Sequence, residues 1–456
     1  MINQDFLLKS TGGKLVRGPE ENSFSSVTTD SRRIKKNELF FALKGPNFDG
    51  HDFVNDAIEK GASGAVVEEI PRDFNHGDKA SIIEVRATYK ALAELANSWR
   101  KKFRNLKVVC ITGSNGKTTT KEMTNSILSI RYSVLKNSGN FNNNIGLPLT
   151  LLRLTDKHDV CVAELGMNDY GEIRELARIA EPDVGAITNI GRAHLEKLGD
   201  LAGVARAKSE LVENFNKNNI FIVNNDDPYI REIDNKTDCI KIRFGINSPA
   251  VDVFAGSIRT EGLESISFDL NIDGKNLNTR LRGIGKHNVY NALCASAISL
   301  SMGLSPEEIQ AGLERYTPAY MRLEIIESPQ GYKIINDTYN ANPDSVTRAL
   351  EELSSLKNNS RAIAILGDML ELGQNSAKEH RNIGELINDL DIDFTICLGE
   401  FSKCIKEGIR KRDNVTHVRS HHEAAELIRQ IASKGDLILI KGSRGMRMEK
   451  IIQELY

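Results

Sequence analysis

Continuous apolar runs alternate with amphipathic stretches through the middle of the chain. Each run is followed by a segment whose apolar positions recur at helical spacing. Strands that alternate with helices form a parallel sheet, and such strands are apolar throughout because helices cover both faces. The pattern predicts a central α/β domain over residues 85–316, extended by an antiparallel patch at 251–282. The apolar runs that support it lie at 107–111, 160–165, 184–190 and 219–225.

The pattern changes on either side of this region. Before residue 85 there are short β-like runs, turns and one helical stretch at 52–62, which predict a small N-terminal α/β domain over 1–84. After Pro318 a new series of apolar runs begins, and each run is followed by a helical segment. This series predicts a doubly wound, Rossmann-like C-terminal domain over 317–456. The sequence therefore predicts an α/β protein of three domains.

The composition is that of an ordinary globular protein. Of its 456 residues, 40% are hydrophobic and 27% are charged, which excludes a disordered or fibrous chain. The 60 Lys and Arg residues nearly balance the 62 Asp and Glu residues, so the net charge is −2. No overall field attracts nucleic acid or an anionic membrane, and we expect neither as a partner. An anionic ligand must be held by a local site.

Two features predict a soluble protein of the cytoplasm. The N-terminus lacks the basic and apolar regions of a signal peptide, and every apolar run is far shorter than the roughly 18 residues that span a bilayer. The cysteines form no C-x-x-C pair, which favours buried thiols in a reducing compartment. They are Cys110, Cys161, Cys239, Cys294, Cys397 and Cys404.

The strongest local signal is TGSNGKTTT at 112–120, where an apolar run leads into a Gly-rich turn and then a helix. The glycines let backbone N–H groups approach phosphate oxygens, the lysine can reach the β- and γ-phosphates, and the first threonine offers a hydroxyl to Mg²⁺. The stretch is shorter at its start than the usual G-x-x-x-x-G-K-[ST], and the alternative is an ordinary strand-to-helix turn. We predict that ATP or GTP binds to Gly113, Ser114, Asn115, Gly116, Lys117, Thr118 and Thr119.

Two further residues are candidates for a metal site. Glu164 directly follows an apolar run, where its carboxylate suits Mg²⁺, a cation that prefers oxygen ligands. His194 lies in the loop after the next predicted strand. The alternatives are a solvated carboxylate at a strand end and a structural histidine. Lys208 lies in a charge-rich helical segment, and periodicity alone predicts that it faces solvent.

Four stretches in this order, TGSNGKTTT, ELGMND, TNIGRAHLEKLGD and ARAKSEL, resemble the Mur ligase superfamily, including its shortened P-loop. Members of this family use ATP to join an amino acid or dipeptide to a carboxylate of a cell-wall precursor. The resemblance implies that Glu164 and His194 bind Mg²⁺ together with Thr118. It also implies that CO₂ carbamylates Lys208, which turns a cation into an anion that can position a metal. Lys117, His194 and Lys208 would then be catalytic.

Two more stretches bear on the nucleotide. GKHNVYNALCASAI at 285–298 resembles the adenine-side motif of the family and singles out Asn288 and Asn291, although both residues could equally be polar surface residues on one helix face. YMRLE at 320–324 contains Arg322, a candidate for the ATP phosphates, with an interdomain ion pair as the alternative.

Other stretches resemble the members of the family that add D-alanyl-D-alanine to UDP-N-acetylmuramoyl-tripeptide. These are an Asn-rich loop near the substrate peptide at 137–152, a C-terminal signature at 336–345, LGDMLELG, KGSRGMRMEK, and a UDP-binding region at 28–53. For the C-terminal signature, the alternative is a turn in which Asn side chains bond their own backbone. For Arg32 in the UDP-binding region, the alternative is a solvated basic turn. The resemblance implies that Asp337 completes the ATP site and that the substrates contact Ser31, Arg32, Asn142, Asn143, Tyr339, Asn340 and Asn342.

The predicted reaction needs no side-chain nucleophile. A substrate carboxylate attacks the γ-phosphate of ATP, and the amine of D-alanyl-D-alanine then displaces phosphate from the acyl phosphate. We expect a monomer that uses ATP and Mg²⁺. The alternatives are a ligase for a different amino acid, a folate-type glutamate ligase, and a non-catalytic nucleotide-dependent switch.

Overall fold

The computed structural model describes residues 1–72, 74–318, 320–357 and 360–456. The chain divides into two compact units. The first unit comprises Met1–Cys110, Tyr132–Met167 and Gly171–Asp183, and the second comprises Ile111–Arg131, Asn168–Tyr170 and Val184–Tyr456. No helix within the described ranges is long and apolar enough to cross a bilayer.

The N-terminal segment forms the small α/β domain that the sequence predicts. Its main sheet has the strand order β2-β7-β6-β5-β4, in which β2 is antiparallel and the other strands are parallel. Phe40, Val54 and Ile82 belong to its core. The elements up to residue 84 are β1 (Ile2–Asn3), α1 (Gln4–Thr11), β2 (Lys14–Arg17), β3 (Ser23–Phe24), β4 (Val27–Thr28), β5 (Leu39–Phe41), α2 (Val54–Glu59), β6 (Gly64–Val67) and β7 (Ser81–Glu84). The helix α3 (Thr88–Lys101) follows the predicted boundary.

The next stretch contains the predicted alternation of strands and helices. The elements are β8 (Lys107–Thr112), α4 (Lys117–Leu128), β9 (Val134–Lys136), α5 (Gly146–Leu151), β10 (Val160–Glu164), α6 (Glu172–Ala180), β11 (Val184–Ile187), α7 (Leu195–Leu198), α8 (Leu201–Ser209), β12 (Ile220–Asn224), α9 (Pro228–Lys236), β13 (Ile240–Gly245), β14 (Val253–Glu261), β15 (Ser265–Ile272), β16 (Lys275–Arg282), α10 (Lys286–Ser301) and α11 (Pro306–Arg315).

The pairing of these strands confirms the parallel sheet. Within the first unit, β9 and β10 are parallel neighbours. Within the second unit, β11, β12, β13 and β14 follow one another in parallel. The predicted antiparallel patch is also present, since β14, β15 and β16 continue the sheet as antiparallel strands. The parallel part places the C-terminal ends of β11 and β12 at one edge, where α/β proteins bind ligands.

The C-terminal segment forms the predicted doubly wound sheet, with the strand order β17-β18-β22-β19-β20-β21. Only β17 is antiparallel to its neighbour. The apolar runs predicted after Pro318 are strands, and each is followed by a helix. The elements are β17 (Glu324–Glu327), β18 (Lys333–Asp337), α12 (Pro343–Leu356), β19 (Ala362–Gly367), α13 (Ser376–Asp389), β20 (Phe394–Leu398), α14 (Lys403–Gly408), β21 (Val415–Val418), α15 (His421–Ile431), β22 (Leu437–Lys441) and α16 (Glu449–Leu455).

The burial of the cysteine side chains shows how closely these sheets are packed. All six cysteines are unpaired, and all except Cys239 are buried. Burial raises the pKa of Cys161 and that of Cys397 to about 12. A thiol that is both buried and protonated reacts slowly with a disulfide reagent.

We therefore expect Ellman's reagent to modify Cys239 first in the native protein and all the thiols after denaturation. The Cys239→Ser variant should lose the fast phase and keep the total from the other cysteines. A fast phase that survives in this variant would show that another thiol is more accessible than the packing indicates.

Candidate functional site

The loop between β8 and α4 is held by the end of β11. The backbone N–H of Ser114 donates to the Asn189 carbonyl at 3.0 Å. The N–H of Asn115 donates to Asn189 Oδ1, and Asn189 Nδ2 donates back to the Asn115 carbonyl, both at 3.0 Å. Thr188 Oγ1 donates to the same carbonyl at 2.6 Å. These contacts fix the loop backbone without any ligand.

Two glycines make this close packing possible. Gly113 has a φ of +145°, and a Cβ atom there would lie 1.9 Å from Thr188 Oγ1. Gly116 has a φ of +81°, and its Cβ atom would lie 2.1 Å from Asn291 Oδ1. Both positions need glycine for its backbone conformation and for space. The loop therefore touches Asn291, one of the two predicted adenine-side residues.

The start of α4 is suited to an anion. The helix begins at Lys117, and its N-cap is Gly116, which offers no capping side chain. The positive end of the helix dipole and the N–H groups of the first turn then face the loop. Lys117 Nζ donates to the carbonyls of Gly113 at 2.8 Å and Ser114 at 3.3 Å, so its charge lies over the loop.

Arg322 lies beside the first turn of α4. Its Nη2 donates to Thr118 Oγ1 at 3.0 Å, and its guanidinium carbon lies 4.1 Å from the centre of the Tyr339 ring. Arg322 makes these contacts and not the interdomain ion pair that the sequence analysis gave as the alternative. They also bring together three residues that the sequence assigned separately to metal, ATP and substrate.

Lys208 is buried, so the expectation from periodicity that it faces solvent is wrong. Only 1% of the residue is exposed. Periodicity failed because the last turn of α8 is covered by parts of the chain that the local pattern does not reveal. Burial, and then the nearby charge of Lys117, hold the pKa of the Lys208 amine well below its usual range. A neutral lysine amine is a nucleophile.

His194 lies against Glu371, a residue that the sequence analysis did not single out. His194 Nδ1 is 2.6 Å from Glu371 Oε2. The adjacent His194 lowers the pKa of Glu371 against the opposing effect of burial, and the charge of Lys117 lowers it further. Both residues have a positive φ, 56° for His194 and 63° for Glu371. Glu371 lies in the stretch LGDMLELG, which the sequence analysis noted as a motif. Its contact with His194 could not be predicted, because the two residues are 177 positions apart in the chain.

Glu164 belongs to the first unit and is not the solvated strand end of the alternative interpretation. It is the last residue of β10 and is buried. Asn142 Nδ2 donates to Glu164 Oε1 at 2.9 Å, and Asn137 bonds both the N–H and the carbonyl of Glu164. Asn143 instead accepts from the N–H of Gly146 at 2.9 Å, as a turn residue does.

The C-terminal signature combines turn contacts with contacts to the P-loop. Asn342 is the N-cap of α12, and its Nδ2 donates to Asn115 Oδ1 at 2.9 Å. Lys441 Nζ donates to Asp337 Oδ2 at 2.6 Å and to the Asn340 carbonyl at 2.9 Å. The turn interpretation therefore describes the local structure correctly, and Asn342 also touches the nucleotide loop.

A cavity of about 490 Å³ opens beside the P-loop in the second unit. Its volume is within the usual range for small-molecule sites. Asn291 Nδ2 donates to Asn288 Oδ1 at 3.1 Å, and Tyr290 donates its hydroxyl to Asp226 Oδ2 at 2.9 Å. Polar groups therefore line the side of the cavity formed by α10. The lining includes Asn115, Gly116, Asn224, Asp226, His287, Tyr290, Asn291 and Arg348.

The predicted UDP-side residues lie in the N-terminal sheet region. Ser31 is mostly buried at the start of a short 3₁₀ turn. The Arg32 side chain is 84% exposed and binds Asp30 through Nε at 2.8 Å and Nη2 at 3.0 Å. This hydrogen bonding lowers the pKa of Asp30. Its geometry is that of the solvated basic turn, and a contact between Arg32 and a diphosphate stays a prediction.

Comparisons with known proteins identify the family of this chain. Family models match three parts of the chain: the Mur ligase family catalytic domain at residues 23–100, the Mur ligase middle domain at 111–299, and the Mur ligase glutamate ligase domain at 321–444. A relative from Bacillus subtilis, named UDP-N-acetylmuramoyl-tripeptide--D-alanyl-D-alanine ligase, is 36% identical over 96% of this chain and 94% of its own.

Solved structures give the same result. A crystal structure of MurF from Acinetobacter baumannii has a TM-score of 0.90 at 35% identity and covers 99% of this chain and 98% of its own. The MurF ligase of Thermotoga maritima in complex with ADP has a TM-score of 0.83 at 28% identity and covers 94% and 96%. The chain therefore belongs to the Mur ligase family, and within it to the group of UDP-N-acetylmuramoyl-tripeptide--D-alanyl-D-alanine ligases.

Proposed function

We propose that the protein is the ATP-dependent ligase that joins D-alanyl-D-alanine to UDP-N-acetylmuramoyl-tripeptide, with release of ADP and phosphate. The observation that carries the proposal is the glycine-dependent loop at 113–116, held rigid beside a nucleotide-sized cavity. The full-length similarity to ligases of that name supports the choice of substrates. We infer that it acts as a monomer in cytoplasmic synthesis of cell-wall precursors.

Nucleotide binding would use groups that the fold already presents. The N-terminus of α4 would bind the phosphates, and the cavity beside Asn291 would take the nucleoside. Lys117 would turn from the loop carbonyls towards the β- and γ-phosphates. Arg322, stacked on Tyr339 next to Thr118, would supply a second positive charge.

The second unit offers few ligands for Mg²⁺. Among the described residues, no three His, Cys, Asp or Glu side chains form a metal cluster. This fits a magnesium ion that is held mainly by nucleotide phosphates, with one or two protein ligands. Thr118 and His194 are two such candidates in the second unit, and Glu164 stays a candidate on the family resemblance alone. When bound, Mg²⁺ would neutralise charge on the transferred phosphoryl group.

The buried amine of Lys208 supports the carbamylation that the family resemblance implies. A neutral amine can add to the carbon of CO₂ and lose a proton, which leaves a carbamate anion. The anion would balance the charge of Lys117 and offer oxygen atoms to a metal. An unmodified ammonium at this position would be costly, because it would be buried beside another cation.

The two chemical steps then follow from position and charge. The tripeptide carboxylate attacks the γ-phosphorus of ATP, and ADP leaves. Lys117 and Arg322 stabilise the negative charge that develops on the phosphate oxygens. The amine of D-alanyl-D-alanine attacks the acyl carbon, phosphate leaves, and an amide bond remains. The protein must keep water from the acyl phosphate between the two steps.

The direct test measures ADP and amide product in the presence of ATP, Mg²⁺ and UDP-N-acetylmuramoyl-tripeptide, with and without D-alanyl-D-alanine. We expect sustained ADP release only with both substrates, and a product mass that corresponds to one added dipeptide. The Lys117→Ala variant is the negative control, with turnover lower by at least about 100-fold and an unchanged melting temperature. Nucleotide binding without amide product would favour the nucleotide-dependent switch instead.

The state of Lys208 has its own test. We expect protein equilibrated with ¹³C-bicarbonate to give a carbamate carbon signal in the NMR spectrum, because the amine is buried and its pKa is held well below its usual range. The signal should disappear in Lys208→Ala. Lys121 is the other lysine among the largest fully buried side chains, and it is ion-paired with Glu122 at 3.3 Å, so Lys121→Met is the matched control that should keep the signal. A signal that persists in Lys208→Ala would assign the carbamate to another residue.

A further inference from the structure

We propose that Arg192 is a positioning residue that latches the helices α12 and α13 onto the loop after β11, and so protects the acyl phosphate from water. This inference rests on the proposed function. It concerns a residue that the sequence analysis passed over, although it lies two positions before His194 in the stretch TNIGRAHLEKLGD.

Arg192 makes three contacts with two carboxylates. Its backbone N–H donates to Asp344 Oδ2 at 2.6 Å, and its Nε donates to Asp344 Oδ1 at 2.7 Å. Its Nη1 donates to Glu379 Oε2 at 2.9 Å. Asp344 lies in the first turn of α12, and Glu379 lies in the first turn of α13. One arginine therefore joins the starts of two helices that are 152 and 187 positions away from it in the chain.

The latch is continuous with the nucleotide loop. Ser114 Oγ donates to the Gly191 carbonyl at 3.0 Å and accepts from the Gly191 N–H at 2.8 Å. On the other side, Asn342 donates to Asn115, and Asn342 is only two residues from Asp344. The first turn of α12 is thus tied to the P-loop once directly and once through Arg192. A change in the latch must reach the loop that binds the phosphates.

The setting distinguishes this contact from an ordinary surface ion pair. The Asp344 and Glu379 side chains are 21% and 11% exposed, so solvent screens the pair less than at an open surface. The guanidinium uses separate N–H groups for each carboxylate, which a lysine ammonium on a flexible stem cannot match in geometry. Acidic residues are favoured at helix N-termini by the dipole, but that effect alone does not require an arginine from another segment.

The consequence for the reaction follows from the labile intermediate. Water that reaches the acyl phosphate regenerates the carboxylate and releases phosphate, so ATP is consumed and no amide forms. If the latch holds α12 and α13 over the site, its loss raises the fraction of time in which the site is open. The ratio of ADP to amide product reports this directly. A residue that only stabilises the fold would lower both products together.

The test compares this ratio in the unaltered enzyme and in Arg192→Ala, Arg192→Lys and Arg381→Ala. Arg381 is the matched control because it lies on the same helix, α13, and pairs with Glu407 at 2.6 Å where both side chains are about half exposed. We expect a ratio near one for the unaltered enzyme and Arg381→Ala, and about threefold or more for Arg192→Ala. Arg192→Lys should lie between them, because it keeps the charge and loses the fork.

Two outcomes would overturn the proposal. An unchanged ratio in Arg192→Ala, with turnover and melting temperature reduced together, would make Arg192 a purely structural residue and overturn it. If Arg192→Ala fails to fold, Glu379→Gln replaces it, since this variant keeps the side-chain size and removes one charged partner. An unaltered enzyme that makes no amide at all would overturn the proposed function and this inference with it, whereas a normal unaltered enzyme with an unchanged ratio overturns only the latch.

Discussion

Asn189 bonds the nucleotide loop with its carbonyl and with both ends of its side-chain amide, and the rest of the site depends on this arrangement. The loop backbone must curve so that the N-terminus of α4 faces a phosphate, and an isolated Gly-rich segment would not hold that curve against its conformational entropy. Here the residues at the end of β11 offset this loss of conformational entropy, because Asn189 and Thr188 form hydrogen bonds with the backbone groups of Ser114 and Asn115. The same short segment then continues to Arg192 and His194.

Charge organises the remainder of the site. Lys117 lies near both Lys208 and Glu371, since its charge lowers the pKa of each. Two lysine cations side by side in a buried setting repel one another, and this repulsion adds to burial in lowering the pKa of Lys208. The anion that a modified Lys208 would carry offsets the charge of Lys117 further. In this account, the buried lysine is a reactive group whose state is set by burial.

The local parts of the fold and site could be predicted from the sequence, and the long-range parts could not. The apolar runs identified the strands, and the TGSNGKTTT stretch identified the loop, because both depend on neighbouring residues. The burial of Lys208 could not be predicted, because periodicity does not reveal which distant segments cover a helix. Glu371 and Arg192 were missed for the same reason, as their partners lie more than a hundred residues away. Arg32 shows the opposite case, where a nearby Asp30 satisfies the side chain locally.

The contacts with Asn189 order the nucleotide loop before nucleotide binds. Hydrogen–deuterium exchange at residues 112–120, measured on the protein with and without ADP, tests this order. We expect the Ser114 and Asn115 amides to exchange slowly in the nucleotide-free protein, because both are bonded to Asn189. Fast exchange at these two amides that becomes slow only with ADP would contradict the account, since the ligand and not β11 would then order the loop.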